Sequence, residues 1–133
     1  MNRWKFWDYY DKDGKNLIGQ WYLSQEVAVQ ETFDWTLYTL SATQDWTDKR
    51  VDEFRVLTGR HLGLCEIRFD LVIDRMKRRF RPTGIWRPIQ RDFILLLGCE
   101  KSGRIYKPQN AFDVALDYKR RFEQGEGRIS EHI

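Results

Sequence analysis

The apolar and polar positions of this chain change rhythm several times, and each change predicts an element. Trp4 to Tyr10 loosely alternates aromatic and polar residues, the mark of a short first strand. Asp11-Lys12-Asp13-Gly14 then supplies turn chemistry, because Asp bonds its local backbone and Gly takes positive φ. From Asn16 a short helix is expected, with Leu17, Ile18, Trp21 and Tyr22 on one side. Ser24 is the expected cap of a longer helix running to about Ser41. Within it Val29, Phe33, Leu37 and Leu40 form a core-facing stripe, which Trp35 and Tyr38 widen or edge. Residues 45–63 are less regular, and Trp46 and Phe54-Arg55-Val56-Leu57 read as anchors of a connecting loop.

After Gly63 the period becomes two. In Leu64–Asp70, Cys65, Ile67 and Phe69 share one face while Glu66, Arg68 and Asp70 share the other. Leu71–Asp74 makes a turn or a strand extension. In Arg75–Arg81, Arg75, Lys77, Arg79 and Arg81 point one way and Met76, Arg78 and Phe80 the other. Pro82 and Gly84 end or bend this strand, since proline cannot donate to a ladder. Phe93–Cys99 is almost unbroken apolar sequence, suited to a central strand covered on both faces. A last helix follows Pro108, with Asn110 as cap, Asp113 in the first turn and Phe112, Ala115, Leu116 and Phe122 as its buried stripe. Lys119, Arg120 and Arg121 suit its negative end, Gly125 offers a stop, and residues 126–133 are expected to be a loosely ordered tail. The predicted fold class is therefore α+β in one domain spanning 1–133. It comprises a small antiparallel sheet built from an N-terminal strand and three later strands, with a helical pair and a C-terminal helix.

Composition adds a core and a direction. The 8 Phe, 6 Trp and 6 Tyr of this 133-residue chain supply enough large rings for a core without staples. No apolar run approaches the roughly 20 residues of a membrane span, and the polar-aromatic start lacks the apolar stretch of a signal peptide. A cytoplasmic protein with no membrane partner is expected. Cys65 and Cys99 sit inside predicted strands and read as buried free thiols. Neither they nor His61 and His132 fall into a ligand pattern, so neither a metal nor another cofactor is expected. The net charge of +3 is unevenly spread: residues 1–53 hold 6 Lys/Arg and 10 Asp/Glu, leaving 17 basic and 10 acidic residues beyond them. Such a split suits a face that meets a polyanion, or simply a solvated surface.

The alternation directs that charge. Arg68, Arg79 and Arg81 fall on one side of adjoining strands, with Lys77 in the same row, and guanidinium grips phosphate in a fork. Edge cations that prevent aggregation are the other reading. Arg104 and Lys107 lie in the loop after the central strand, where a phosphate contact and a solvated role are equally open. Glu66 shares the face of Arg68 and reads either as a general base or as a carboxylate that orients the arginine. Tyr106 can stack on a base, act through its hydroxyl, or pack in the core.

Four blocks carry a family resemblance. They are Leu62-Gly63-Leu64-Cys65-Glu66-Ile67-Arg68-Phe69, Phe80-Arg81-Pro82-Thr83-Gly84, Phe93 through Lys101, and Tyr106-Lys107-Pro108 with Ala111 and Ala115. Together they resemble the RelE/HigB-like toxin superfamily, most closely its phage-derived branch. The resemblance implies a RelE-like fold and the toxin of a two-gene toxin–antitoxin pair. The implied activity is metal-independent cleavage of mRNA on the ribosome, and the implied partner is a helix-turn-helix antitoxin. It also implies a functional basic residue at Lys101. The implied catalytic set is then Arg68, Arg81, Lys101 and Glu66, with Lys77, Arg79, Arg104, Lys107 and Tyr106 on the RNA. One departure stands out: the superfamily often places catalytic residues near the C-terminus, whereas Lys119-Arg120-Arg121 is followed by no immediate His or Tyr. That departure motivates an alternative, a non-catalytic binding protein that inhibits DNA gyrase or holds RNA without cutting it.

Overall fold

The computed structural model describes residues 3–132. The chain runs β1 (Lys5–Tyr10), α1 (Leu17–Leu23), α2 (Val27–Ser41), β2 (Phe54–Val56), β3 (Cys65–Ile67), β4 (Phe69–Ile73) and β5 (Met76–Phe80). It continues through β6 (Thr83–Arg87), β7 (Asp92–Leu97), β8 (Glu100–Ser102), β9 (Ile105–Lys107), α3 (Ala111–Glu123) and β10 (Arg128–Glu131). The strands form a six-stranded sheet, β10-β1-β7-β6-β3-β2, and a four-stranded sheet, β4-β5-β8-β9. The pairing of β1 with β7 is parallel and the other pairings are antiparallel.

Ten strands in two sheets, with three helices, replace the small RelE-like antiparallel sheet that the sequence predicts. The physical reason lies at one line across the molecule. Three chain segments pass from one sheet to the other there: β3 to β4 through Arg68, β5 to β6 through Arg81 and Pro82, and β7 to β8 through Gly98 and Cys99. The segments are stitched along this seam by Ile67 N–H donating to Pro82 O at 2.7 Å and Arg81 N–H to Cys99 O at 2.8 Å. Pro82 has no N–H to extend a ladder. Gly98 lies so close to the Trp21 ring that an added Cβ would fall 2.0 Å from it. The bend at Pro82 is the one the sequence marks, whereas the crossings at Arg68 and at Gly98-Cys99 fall where neither the alternation nor the apolar run signals a change of sheet.

The six-stranded sheet is covered on both faces. On one, Trp4, Phe6, Phe54, Cys65, Ile67, Phe93 and Leu95 meet α1, α2 and Trp46. Trp46 stacks on Trp4 at 4.4 Å and donates its indole N–H to Leu40 O at 2.9 Å. On the other, Tyr9, Leu64, Ile85, Ile94 and Leu96 meet Ala115 and Tyr118 of α3. The apolar run in β7 is buried throughout because it serves both cores. The smaller sheet turns Phe69 and Phe80 inward, and Phe69 stacks on Phe33 of α2 at 5.7 Å.

Other sequence expectations are corrected. Ser24 ends α1 by donating its backbone N–H to Gln20 O, and α2 begins after Glu26 instead. Trp35 is 68% exposed and pairs with Tyr38 outside the core. The segment around Phe54 is an edge strand against β3 and not a loop. Arg75 sits with Asp74 in the two-residue turn of the β4–β5 hairpin, both at positive φ. Residues 128–131 of the expected tail form β10 on the outer side of β1. His132 follows it, with Nδ1 2.6 Å from Asp8 Oδ1 and its ring edge-on to Phe33. Among the described residues, no helix is long and apolar enough to cross a membrane.

Candidate functional site

The seam gathers much of the charge that the sequence singles out. Register fixes the neighbours of Glu66: in β3 it lies between Arg55 of β2 and Thr83 of β6, all three on the same face. Glu66 is 1% exposed. Arg68 Nε lies 3.8 Å from Oε1, while Oε2 has no hydrogen-bond partner among the described residues. Burial pushes the carboxyl above the usual range, and the positive charges of Arg81, Arg68, Arg55 and Lys101 pull against that rise. The result is an enclosed carboxyl group in a cationic surround, with Oε2 buried and without a hydrogen-bond partner among the described residues.

Arg81 is placed differently from the outward row predicted for it. It is 3% exposed, and its Nη1 donates to Phe80 O at 2.7 Å, Asp70 Oδ1 at 3.0 Å and Phe69 O at 3.4 Å. Its own carbonyl accepts from Thr83 Oγ1 and Cys99 Sγ. Burial tends to raise the Asp70 carboxyl, but bonds and charge from Arg81 and Lys77 prevail and hold it below the usual range. Arg81 is thus a fixed positive charge beneath the site, not a fork for an outside phosphate. Cys65 and Cys99 are buried free thiols, and burial pushes both up to about 12.

Above the seam, alternation does place an open cationic face. Cross-strand register aligns Lys77 with Val72, and Arg79 with both Asp70 and Lys101. Lys101 in turn faces Tyr106, with Nζ 5.6 Å from the ring centre. Lys77 and Arg79 are exposed, and Lys77 Nζ lies 3.5 Å from Asp70. The β4–β5 and β8–β9 hairpins are paired only at their base, through Arg79↔Lys101 and Phe80↔Glu100. Beyond it they border a groove of about 740 Å³ that opens toward both faces of the sheet, lined by Lys77, Arg78, Arg79, Lys101 and Lys107 and also by the carboxylates of Glu26, Asp74 and Glu100, so that cations outnumber anions five to three. Arg78 points to the opposite face, where Glu100 holds it in a bidentate pair.

Arg104 and Tyr106 lie at a second hollow, with Arg60, His61 and Phe112. The structure therefore brings Glu66, Arg68, Arg81 and Lys101 to one seam and puts Lys77, Arg79 and Lys107 beside it. Sequence reasoning misses Arg55, because Phe54-Arg55-Val56 reads as a loop anchor. Its period-two pattern of Phe54 in and Arg55 out is the available signal. It also misses Asp70 as the partner of Arg81, which no local pattern marks. Among the described residues no group of three or more His, Cys, Asp and Glu could hold a metal ion. Comparison with protein-family models, with curated proteins and with solved structures finds no match to this chain.

Proposed function

We propose that this protein is an RNA-cleaving toxin of a two-gene toxin–antitoxin pair, acting on mRNA at the ribosome and held in check by a helix-turn-helix antitoxin. The observation that carries the proposal is the buried Glu66 carboxylate among Arg81, Arg68, Arg55 and Lys101, beside an open cationic groove. The sequence blocks around these same residues, and not the sheet architecture, supply the biological context.

The chemistry needs a base, fixed positive charge and an acid. Glu66 takes the proton of a ribose 2′-hydroxyl, and the 2′-oxygen bonds to the adjacent phosphorus. The bond from phosphorus to the 5′-oxygen breaks, and Lys101 gives that oxygen a proton. The products are a 2′,3′-cyclic phosphate and a 5′-hydroxyl end, so no external water or oxidant is consumed. Arg68 lies at the surface of the seam and contacts the phosphate, whereas Arg81 stabilises developing negative charge through its field. Lys77, Arg79, Arg104 and Lys107 hold the strand. Induced expression with transcript-end mapping tests the proposal. Defined mRNA cuts bearing 5′-hydroxyl ends are expected; growth arrest with intact transcripts would exclude it.

The burial of Glu66 and Arg81 favours one other reading, in which the pair only stabilises the seam and the groove binds RNA without cutting it. Under that reading purified protein binds RNA with a steep salt dependence and leaves every transcript whole.

A further inference from the structure

The hollow beside Tyr106 has a different character from the cationic groove. It measures about 460 Å³, within the range of roughly 300–1,000 Å³ usual for small-ligand clefts. The turn at Gly59–His61, the β8–β9 hairpin and the first turn of α3 border this open hollow. One side of it is a packed cluster of rings: Tyr106 and Phe112 are in contact at 4.3 Å and 54°, and His61 meets Phe112 edge-on at 4.9 Å. Its rim carries the exposed Arg104, the amide of Gln109, and Asp113, whose carboxylate lies 3.4 Å from Arg60 and 3.7 Å from His61. An aromatic face with a few edge donors and acceptors and two exposed guanidinium groups, Arg60 and Arg104, suits a planar, hydrogen-bonding ring attached to a phosphate. Single-stranded nucleic acid is recognised in this way, by stacking on aromatic or arginine planes and by bonds to the base edge.

Tyr106 joins this hollow to the seam. It stands opposite Lys101 in the β8–β9 ladder, and its hydroxyl is raised first by burial and next by the charge of Glu66. We infer that the hollow is a stacking pocket for one unpaired nucleobase of the RNA, with the Tyr106 ring, backed by the buried Phe112, as its stacking face, Gln109 and Asp113 reading the base edge, and Arg104 holding the attached phosphate. The inference rests on the RNA-binding part of the proposed function.

Its test is an abasic scan. A fluorescein-labelled, 2′-O-methyl hexanucleotide, which lacks the attacking hydroxyl, is bound to the full protein at low salt, and each base is deleted in turn. One position is expected to weaken binding by roughly 5- to 150-fold, the range measured for loss of one stacked base. In Tyr106→Ala that position loses its special sensitivity while the others keep theirs, a pattern that mere loss of stability does not produce. Should Tyr106→Ala fail to fold, Gln109→Ala and Arg104→Ala at the exposed rim read out the same position. A flat profile, or no binding at low salt, overturns the pocket whatever cleavage assays give. A single sensitive position in a protein that cuts no RNA sustains the pocket and removes the nuclease reading.

Discussion

At Glu66, burial and charge act on one carboxyl in opposite directions. Burial dominates, so the folded-state pKa lies above the ordinary glutamate value of about 4.3. The folded protein then holds the proton more tightly than the unfolded chain does. The stability this confers is complete below the ordinary value and is lost as pH rises through the folded one. The stability of the wild type relative to Glu66→Gln is therefore expected to fall as pH rises above the ordinary glutamate value, measured by chemical denaturation of both proteins. Parallel curves would mean that the carboxyl is not perturbed. Asp70 has the opposite sign: its lowered pKa gives stability above the ordinary aspartate value, lost as pH falls through the folded one. Glu66 is legible in sequence as a choice between base and counter-ion. Its burial is not, because the Arg68 beside it sits where the chain leaves one sheet for the other, and local alternation carries no record of that departure.

Individual elements show why some segments are readable and others not. The stripe Val29, Phe33, Leu37 and Leu40 of α2 is buried, since a helix reports its inner face every three or four residues. The run in β7 declares burial on both faces by composition alone. By contrast, β10 has little apolar content and is ordered by pairing with β1, whose sequence lies more than a hundred residues away. The Asp74-Arg75 turn is equally obscure, because both residues adopt a positive φ more usual for Asn and Gly. Arg75→Gly is expected to stabilise the protein by about 1 kcal/mol, since left-handed backbone costs a non-glycine residue that order of energy; thermal unfolding checks it. At the other end, His132→Ala is expected to cost about 2 kcal/mol through the lost bond to the buried Asp8 carboxylate. Removing residues 127–133 bares the outer edge of β1 and is expected to add aggregation, visible by light scattering.

Over the whole molecule, acidic and basic residues are divided unevenly along the chain. The acidic N-terminal portion supplies β1, α1 and α2, and the basic remainder supplies the seam, the groove and α3. RNA binding is therefore expected to weaken linearly with log salt. The double variant Lys77→Ala, Arg79→Ala should lower that slope by about 1.4, roughly 0.7 for each single-strand phosphate no longer neutralised. An unchanged slope would place the RNA elsewhere. The claim that joins these scales is that Glu66 is the base of a cleavage site. The most direct measurement is the rate of cutting of ribosome-bound mRNA by wild type and Glu66→Gln across pH. The wild-type rate should climb with pH to a plateau as Glu66 ionises, with its midpoint above the ordinary glutamate value. The folded Glu66→Gln protein should still bind RNA and cut at least 100-fold more slowly, in line with the roughly 10²–10⁴-fold contribution of a general base. Equal rates in the two proteins, or a wild-type protein that binds without cutting, would contradict it.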